Sequence, residues 1–135
     1  MTTSLTQKFC VACEAGTPPM PPEEAERLME QVPGWELKSE EKKLARRFKF
    51  KDFKAAMSFV NQVADLAEAE GHHPDIYISW NRVRLELTTH AIKGLSENDF
   101  ILAAKISMLD DRRYTIGDGT AKTQRTPRAR QEDDG

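Results

Sequence analysis

The sequence predicts an α+β domain, a four-stranded antiparallel sheet with three helices on one face, in the order α-β-β-α-β-β-α. Two observations predict this class: hydrophobic residues switch repeatedly between helical and extended spacing, and the strand-like segments come in adjacent pairs. Hairpins that alternate with helices give an antiparallel sheet covered by helices. A length of 135 residues with 39% hydrophobic residues supports one such domain.

The first 21 residues are rich in proline and are expected to form an extended arm. A helix from Pro22 to about Gln31 follows, because proline fits the first helical turn, and Pro33-Gly34 ends it. The expected domain spans residues 22–113. Residues 114–135 contain almost no apolar side chains and are expected to form a disordered tail.

Two pairs of alternating segments predict two hairpins. The first pair covers residues 35–37 and 44–50, joined around residues 39–41. The second covers residues 76–80 and 83–88, joined at Asn81-Arg82. In each strand apolar side chains alternate with polar ones, which is the pattern of a sheet with one buried face.

Two more helices follow from apolar residues at helical spacing. The longer one is capped by Asp52 and ends at Gly71, a residue suited to a left-handed stop. The last begins after Ser96 and runs from Glu97 to about Leu109. It carries two apolar stripes, one of Ile101, Ala104 and Met108 and the other of Leu102, Ile106 and Leu109. Because one core face needs one stripe, the second is expected to face another subunit.

Composition argues against several classes of partner. The formal charge of -2 gives no basic excess, so direct binding of nucleic acid or of an anionic membrane is not expected. No apolar run approaches the roughly 18 residues of a membrane span, and the N-terminus does not resemble a signal peptide. A cytoplasmic protein that acts on a small molecule is the expectation.

The residues His72-His73-Pro74 lie at a helix-to-strand corner. Histidine exchanges protons near neutral pH, so the pair is an acid-base candidate, although an exposed doublet without a role fits the local sequence as well. His90 ends the strand that returns from this corner. The hairpin is expected to bring it toward the pair, where three imidazoles would surround one planar ligand. A histidine exposed to water is the alternative.

Two carboxylates accompany the histidines. Asp99 follows Ser96 by three residues, the spacing of a capping box, and this role is compatible with catalysis. Glu68 lies in the last turn of the long helix, where its charge opposes the helix end, so it either orients a histidine ring or is simply solvated. Trp35 and Trp80 are expected in the core or in a pocket wall.

A zinc site is the competing interpretation of three histidines and two cysteines. The pair Cys10-x-x-Cys13 has no second pair at zinc-finger spacing, and it lacks the strand-helix context of a thioredoxin motif. Adjacent His72 and His73 cannot easily direct both rings at one ion. No phosphate-binding loop or serine-hydrolase elbow occurs. No metal is therefore expected.

The segment Glu68-Ala-Glu-Gly-His72-His73-Pro74, then Trp80, Thr89-His90 and Gly94-Leu-Ser-Glu-Asn-Asp99, resembles the signature of pterin-4a-carbinolamine dehydratases. The similarity continues through Pro33-Gly34-Trp35 and covers about residues 22–109. The arm around Cys10 resembles that of bacterial members associated with phenylalanine hydroxylation. This resemblance implies the same α+β fold, dimers or tetramers, and no metal or bound cofactor.

The resemblance also implies an activity, the removal of water from a 4a-hydroxytetrahydropterin to give a quinonoid dihydropterin. By matching position, His72 and His90 would be general acids and His73 would bind the substrate and assist base catalysis. Asp99 and Glu68 would hold protonation states and ring orientations, while Pro74, Trp35 and Trp80 would contribute to the corner and the pocket. Some members serve as dimerisation cofactors, so a protein-interaction or assembly module is the alternative function.

Overall fold

The structure is a computed structural model that describes residues 5–11, 17–40 and 42–115. Its helices and strands are α1 (Pro22–Leu28), β1 (Glu36–Lys38), β2 (Lys43–Lys49), α2 (Phe53–Glu70), β3 (Asp75–Ser79), β4 (Arg82–Leu87) and α3 (Glu97–Thr115). Single 3-10 turns occupy Leu5–Gln7, Met29–Gln31 and His90–Ile92. The predicted α+β class and element order are confirmed.

The four strands form one antiparallel sheet in the order β1-β2-β4-β3. The register places Leu44 opposite Leu87 and Phe48 opposite Val83, so the apolar residues of the two central strands share one face. That face packs against the helices and forms the core with Phe59, Val63 and Phe100. The sheet therefore has a helix-covered apolar face and a second face rich in charged residues.

Local signals set both ends of α2. The Asp52 carboxylate accepts a hydrogen bond from the Ala55 N–H at 2.8 Å, the geometry of an N-cap. At the other end Gly71 adopts a φ of 69°, a left-handed conformation that stops the helix without steric strain. Because α2 ends there, the next residues begin the corner that leads into β3.

The two apolar stripes of α3 are both largely buried within the single chain. Leu102 and Ile106 have no exposed surface, and Ile101 is buried as well. The 3-10 turn Leu5–Gln7 packs on α3 and inserts Leu5 into the core, so the N-terminal segment covers surface that was assigned to another subunit. The prediction that a surplus stripe on this helix faces a partner is wrong for that reason.

Three further expectations differ from the structure or lie outside it. Helix α3 continues to Thr115 instead of ending near Leu109, and Arg46 pairs with Asp110 beyond the predicted end. The N-terminal arm is extended only in part. Cys13 and the expected tail from residue 116 lie outside the described residues. Within the described ranges, no helix is long and apolar enough to span a membrane.

Candidate active site

The corner between α2 and β3 presents two histidines in opposite ways. The N–H groups of Gly71 and His72 both donate to the Ala67 carbonyl, at 2.9 and 3.3 Å, and this closes the helix end. His72 is half-buried, while His73 is exposed. The left-handed glycine thus turns the chain so that one ring faces the protein and the next faces outward.

His72 forms a buried pair with Asp99, the third residue of α3. Its Nε2 lies 2.7 Å from Asp99 Oδ1, and the two side chains are 12% and 0% exposed. The second carboxylate oxygen, Oδ2, accepts from the Thr89 hydroxyl at 2.8 Å and from the Ser96 N–H at 3.0 Å. Asp99 is thus contacted at both carboxylate oxygens, and Oδ1 is the acceptor that faces a proton on His72 Nε2.

Asp99 also forms the capping box that its spacing predicts. Its bond to the Ser96 N–H is the returning half of a capping box, and the Asn98 N–H donates to the Ser96 hydroxyl at 3.2 Å. The same carboxylate fixes the orientation of His72. The capping hydrogen bond restricts the position of the Asp99 side chain, and Asp99 in turn restricts the orientation of the His72 ring.

His73 forms a second pair with Glu68, across the end of α2. Its Nε2 lies 2.6 Å from Glu68 Oε2, with side chains 59% and 78% exposed. The Glu68 carboxylate thus contacts a histidine ring and is also largely exposed to solvent, and its role in orienting that ring stays a prediction. Both groups remain in contact with solvent, so the pair can open when a ligand binds.

His90 begins the turn His90–Ile92 and its side chain is exposed. The turn is closed by a bridge between Thr89 and Gly94, in which the Thr89 N–H donates to the Gly94 carbonyl at 2.9 Å. Thr89 also contacts Asp99, so His90 directly follows a residue of the buried cluster. In the described part of the chain no hydrogen bond joins its ring to His72 or His73, and the three-imidazole arrangement stays a prediction.

The two tryptophans are not brought to this corner within one chain. Trp35 is buried in the core and its indole N–H donates to Ser107, about 12 Å along α3 from Asp99 at roughly 1.5 Å per residue. Trp80 is 58% exposed in the turn after β3. Strand β3, which is about 17 Å long, lies between it and the corner. The half-buried Pro74 does lie in the corner, between His73 and the start of β3.

Thr89 and the N-terminal segment are parts of the site that sequence reasoning missed. Thr89 lies two residues beyond the end of β4, and the local sequence gave no sign that its hydroxyl would reach Asp99. Cys10 and Val11 contact Asn98, the neighbour of Asp99, from the far end of the sequence. Among the described residues, no three His, Cys, Asp or Glu side chains are placed to hold one metal ion.

Comparison with known proteins identifies relatives along the same residues. The family model described as pterin 4 alpha carbinolamine dehydratase matches residues 18–109. Proteins of Methylococcus capsulatus and Halorhodospira halophila, provisionally named pterin-4-alpha-carbinolamine dehydratases, are 54% and 50% identical. Each alignment covers 78% of this chain, with 93% and 97% of the two relatives.

Two solved structures are also similar. One is the transcriptional coactivator/pterin dehydratase from Brucella melitensis, with a TM-score of 0.64, 33% identity, and coverage of 67% of this chain and 97% of that one. The other is a pterin dehydratase-like protein described as a RuBisCO assembly factor in the alpha-carboxysome. Its TM-score is 0.50 at 26% identity, with coverage of 56% of this chain and 88% of that one.

Proposed function

The chain belongs to the pterin 4 alpha carbinolamine dehydratase family, and we propose that it removes water from a 4a-hydroxytetrahydropterin to give the quinonoid dihydropterin. The observation that carries this proposal is the buried Asp99 carboxylate. It pairs with the half-buried His72 at a corner that also carries the exposed His73. General acid-base chemistry requires such positioned imidazoles.

The proposed reaction needs one proton delivered and one removed. An acid protonates the 4a-hydroxyl as the carbon-oxygen bond breaks, and the oxygen leaves with the bonding electrons as water. A base takes the proton of the adjacent ring N–H, and the released electron pair forms the carbon-nitrogen double bond. Because the two transfers balance, an acid and a base suffice, and the proposal includes no metal or bound cofactor.

We assign these roles to the three histidines. His72 and His90 act as general acids at the two faces of the pterin, and the exposed His73 binds the substrate and assists as a base. Asp99 holds the tautomer of His72, and Glu68 orients His73. We place Trp35 in the supporting core between the sheet and α3, and Trp80 in the exposed turn after β3.

The test is a stopped-flow assay on enzymatically generated 4a-hydroxytetrahydropterin. His73→Ala and His90→Ala are each expected to lower turnover by about 10² or more, since each removes a proton-transfer group, while circular dichroism shows an intact fold. Asp65→Ala, on the exposed side of α2, is the control and should leave turnover unchanged. If the unaltered protein does not exceed the spontaneous rate, the enzymatic function is refuted; full activity in either histidine variant refutes that residue's role.

We further propose that this dehydration recycles tetrahydropterin for aromatic amino-acid hydroxylation in the cytoplasm. The similarity of the Cys10 arm to bacterial members associated with phenylalanine hydroxylation supports this link. At limiting pterin concentration, the protein should raise the sustained rate of a phenylalanine hydroxylase in a coupled assay. An unchanged rate, with active dehydratase present, would contradict the pathway assignment alone.

A homo-oligomer, dimer or tetramer, is proposed from the free edge of the sheet. Strand β3 is an outer strand, and it exposes Tyr77 and Ile78 next to Trp80. Unpaired edge strands with apolar side chains favour association with another chain. Ile78→Lys is expected to shift the sedimentation coefficient toward the monomer. A monomeric unaltered protein at micromolar concentration would refute the proposal.

An assembly function is the second candidate. The relative described as a RuBisCO assembly factor shows that this fold is associated with such a role. An assembly module does not require proton transfer, so the substitutions His73→Ala and His90→Ala separate the two functions. They would abolish dehydration and leave protein association unchanged.

A further inference from the structure

The N-terminal arm, residues 5–11, lies on the two elements that carry the buried His72–Asp99 pair. It contacts the first turn of α3 and the last turn of α2, and its 3-10 turn is anchored by Leu5 in the core. Lys8 also forms an ion pair with Glu97 at the start of α3. The arm therefore connects the end of α2, which precedes His72, to the start of α3, which contains Asp99.

On the α3 side the arm binds Asn98, the residue before Asp99. The Val11 N–H donates to Asn98 Oδ1 at 3.0 Å, and the Asn98 amide donates back to the Val11 carbonyl. The Cys10 thiol also lies 3.6 Å from the Asn98 carbonyl oxygen. Asn98 is buried, so displacement of the arm would break these hydrogen bonds at a site away from solvent.

On the α2 side the arm binds Glu70, two residues before His72. The Cys10 N–H donates to Glu70 Oε1 at 2.9 Å, and Lys105 of α3 pairs with Oε2. Burial by itself would raise the pKa of Glu70, but the hydrogen bonds from Cys10 and Lys105 outweigh it and lower the pKa. The carboxylate is thus held ionised between the arm and both helices.

A second N-terminal segment, Pro19–Met20, contacts the chain between the His90 turn and α3. The Met20 N–H donates to the Leu95 carbonyl at 2.8 Å, and Pro19 lies so close to Gly94 that a Cβ there would approach it to 2.6 Å. Both attachments lie on segments that lead directly to a candidate catalytic histidine or to Asp99. The arm thus contributes both to the core, through Leu5, and to the segments that carry the candidate site.

We propose that the N-terminal arm is a positioning element of the active site, which sets the geometry of the His72–Asp99 pair by joining Glu70 to Asn98. Asn98 and Glu70 are positioning residues in this arrangement, because they act through their neighbours. The inference rests on the proposed dehydratase function for its effect on rate. Its structural part, the dependence of the His72–Asp99 hydrogen bond on the arm, is independent of that function.

The experiment uses the full chain with Cys13→Ser, so that Cys10 is the single thiol, and compares it with the same chain carrying Asn98→Ala. Alkylation of Cys10 reports docking, since burial and Glu70 raise the pKa of this thiol to about 12 and keep it unreactive. The ¹⁵N shift of His72 Nε2 reports the bond to Asp99. The chain has three histidines, so substitution of the other two assigns the signal.

Asn98→Ala is expected to raise the alkylation rate at least tenfold, to move the Nε2 shift toward tautomer exchange, and to lower kcat about tenfold with little change in KM. Asn81→Ala is the matched control. Asn81 lies in the β3–β4 turn, is also buried, and donates a side-chain hydrogen bond to the Phe50 carbonyl. It should lower thermal stability without changing alkylation, the His72 shift or kcat. Glu70→Ala removes the contact of the arm with α2, and it replaces Asn98→Ala in the experiment if that variant does not fold.

Two results would overturn the proposal. Cys10 alkylation that is unchanged in Asn98→Ala would show that these contacts do not hold the arm. Faster alkylation with an unchanged His72 shift would show that the arm is released without consequence for the pair. Failure of the dehydratase function would appear separately, as absence of activity in the parent chain, and would leave the alkylation and NMR results interpretable.

Discussion

The two histidine-carboxylate pairs of the corner have the same chemistry and different surroundings. His72 and Asp99 are joined at 2.7 Å with side chains 12% and 0% exposed, whereas His73 and Glu68 are joined at 2.6 Å with side chains 59% and 78% exposed. The distances are nearly equal. What differs is that Asp99 has further donors on its second oxygen, while Glu68 faces water.

This difference separates a fixed group from an adaptable one. An exposed ion pair is screened by solvent and contributes about 0–1 kcal/mol, so the His73 ring can exchange its partner for a ligand. A buried carboxylate with three donors cannot move without leaving those donors unsatisfied. The difference in burial therefore supports a fixed ring orientation for His72 and a movable ring for His73, which is proposed to bind the substrate.

The largest effect on this comparison is expected from Asp99→Ala. The variant leaves the Thr89 hydroxyl, the Ser96 N–H and His72 Nε2 without their acceptor, and each loss costs about 1–3 kcal/mol when buried. We expect the free energy of unfolding, measured by urea denaturation, to fall by about 3 kcal/mol. Turnover, measured by stopped flow, should fall at least about 10²-fold. Asp99→Asn, which keeps the shape, should lose less stability. A loss below about 1 kcal/mol would contradict the assigned role of the cluster.

A smaller effect is expected from acid, through Glu70. Its pKa is lowered in the folded protein below the ordinary value of 4.5, so its ionised form contributes stability that is fully present above that value. This contribution is lost as pH falls through the lowered pKa. The arm should therefore loosen as the pH is lowered beneath 4.5 and through the lowered pKa of Glu70, seen as faster amide hydrogen exchange at Cys10 and Val11. Glu70→Gln should abolish this pH step, and a persistent step would assign it to another group.

The smallest effect is expected from Glu68→Gln. Because this pair is exposed, its loss should change the free energy of unfolding by no more than about 1 kcal/mol, and 0.5 M salt should reduce the difference further. Turnover should fall less than in His73→Ala, since the histidine remains. If Glu68→Gln lost as much stability as Asp99→Ala, the proposed difference between the exposed and the buried pair would be wrong.

Much of the fold followed from local patterns. The alternation of residues 44–50 and 83–88 predicted β2 and β4, and the capping residue Asp52 and the stop at Gly71 predicted both ends of α2. The end of α3 was missed because apolar spacing stops near Leu109, whereas the helix continues through polar residues, the first of which, Asp110, pairs with Arg46. The expected disordered tail and Cys13 lie beyond the described residues.

The sequence by itself determined the elements, the capping box at Ser96 and Asp99, and the presence of three histidines at family spacing. These features depend on residues a few positions apart, so local pattern contains the information. Only the tertiary structure decided which histidine meets which carboxylate, because His72 and Asp99 are 27 positions apart. It also decided that Leu5 covers α3 and that Val11 meets Asn98 across 87 positions. Such contacts depend on how the elements pack, and neither periodicity nor spacing records that packing.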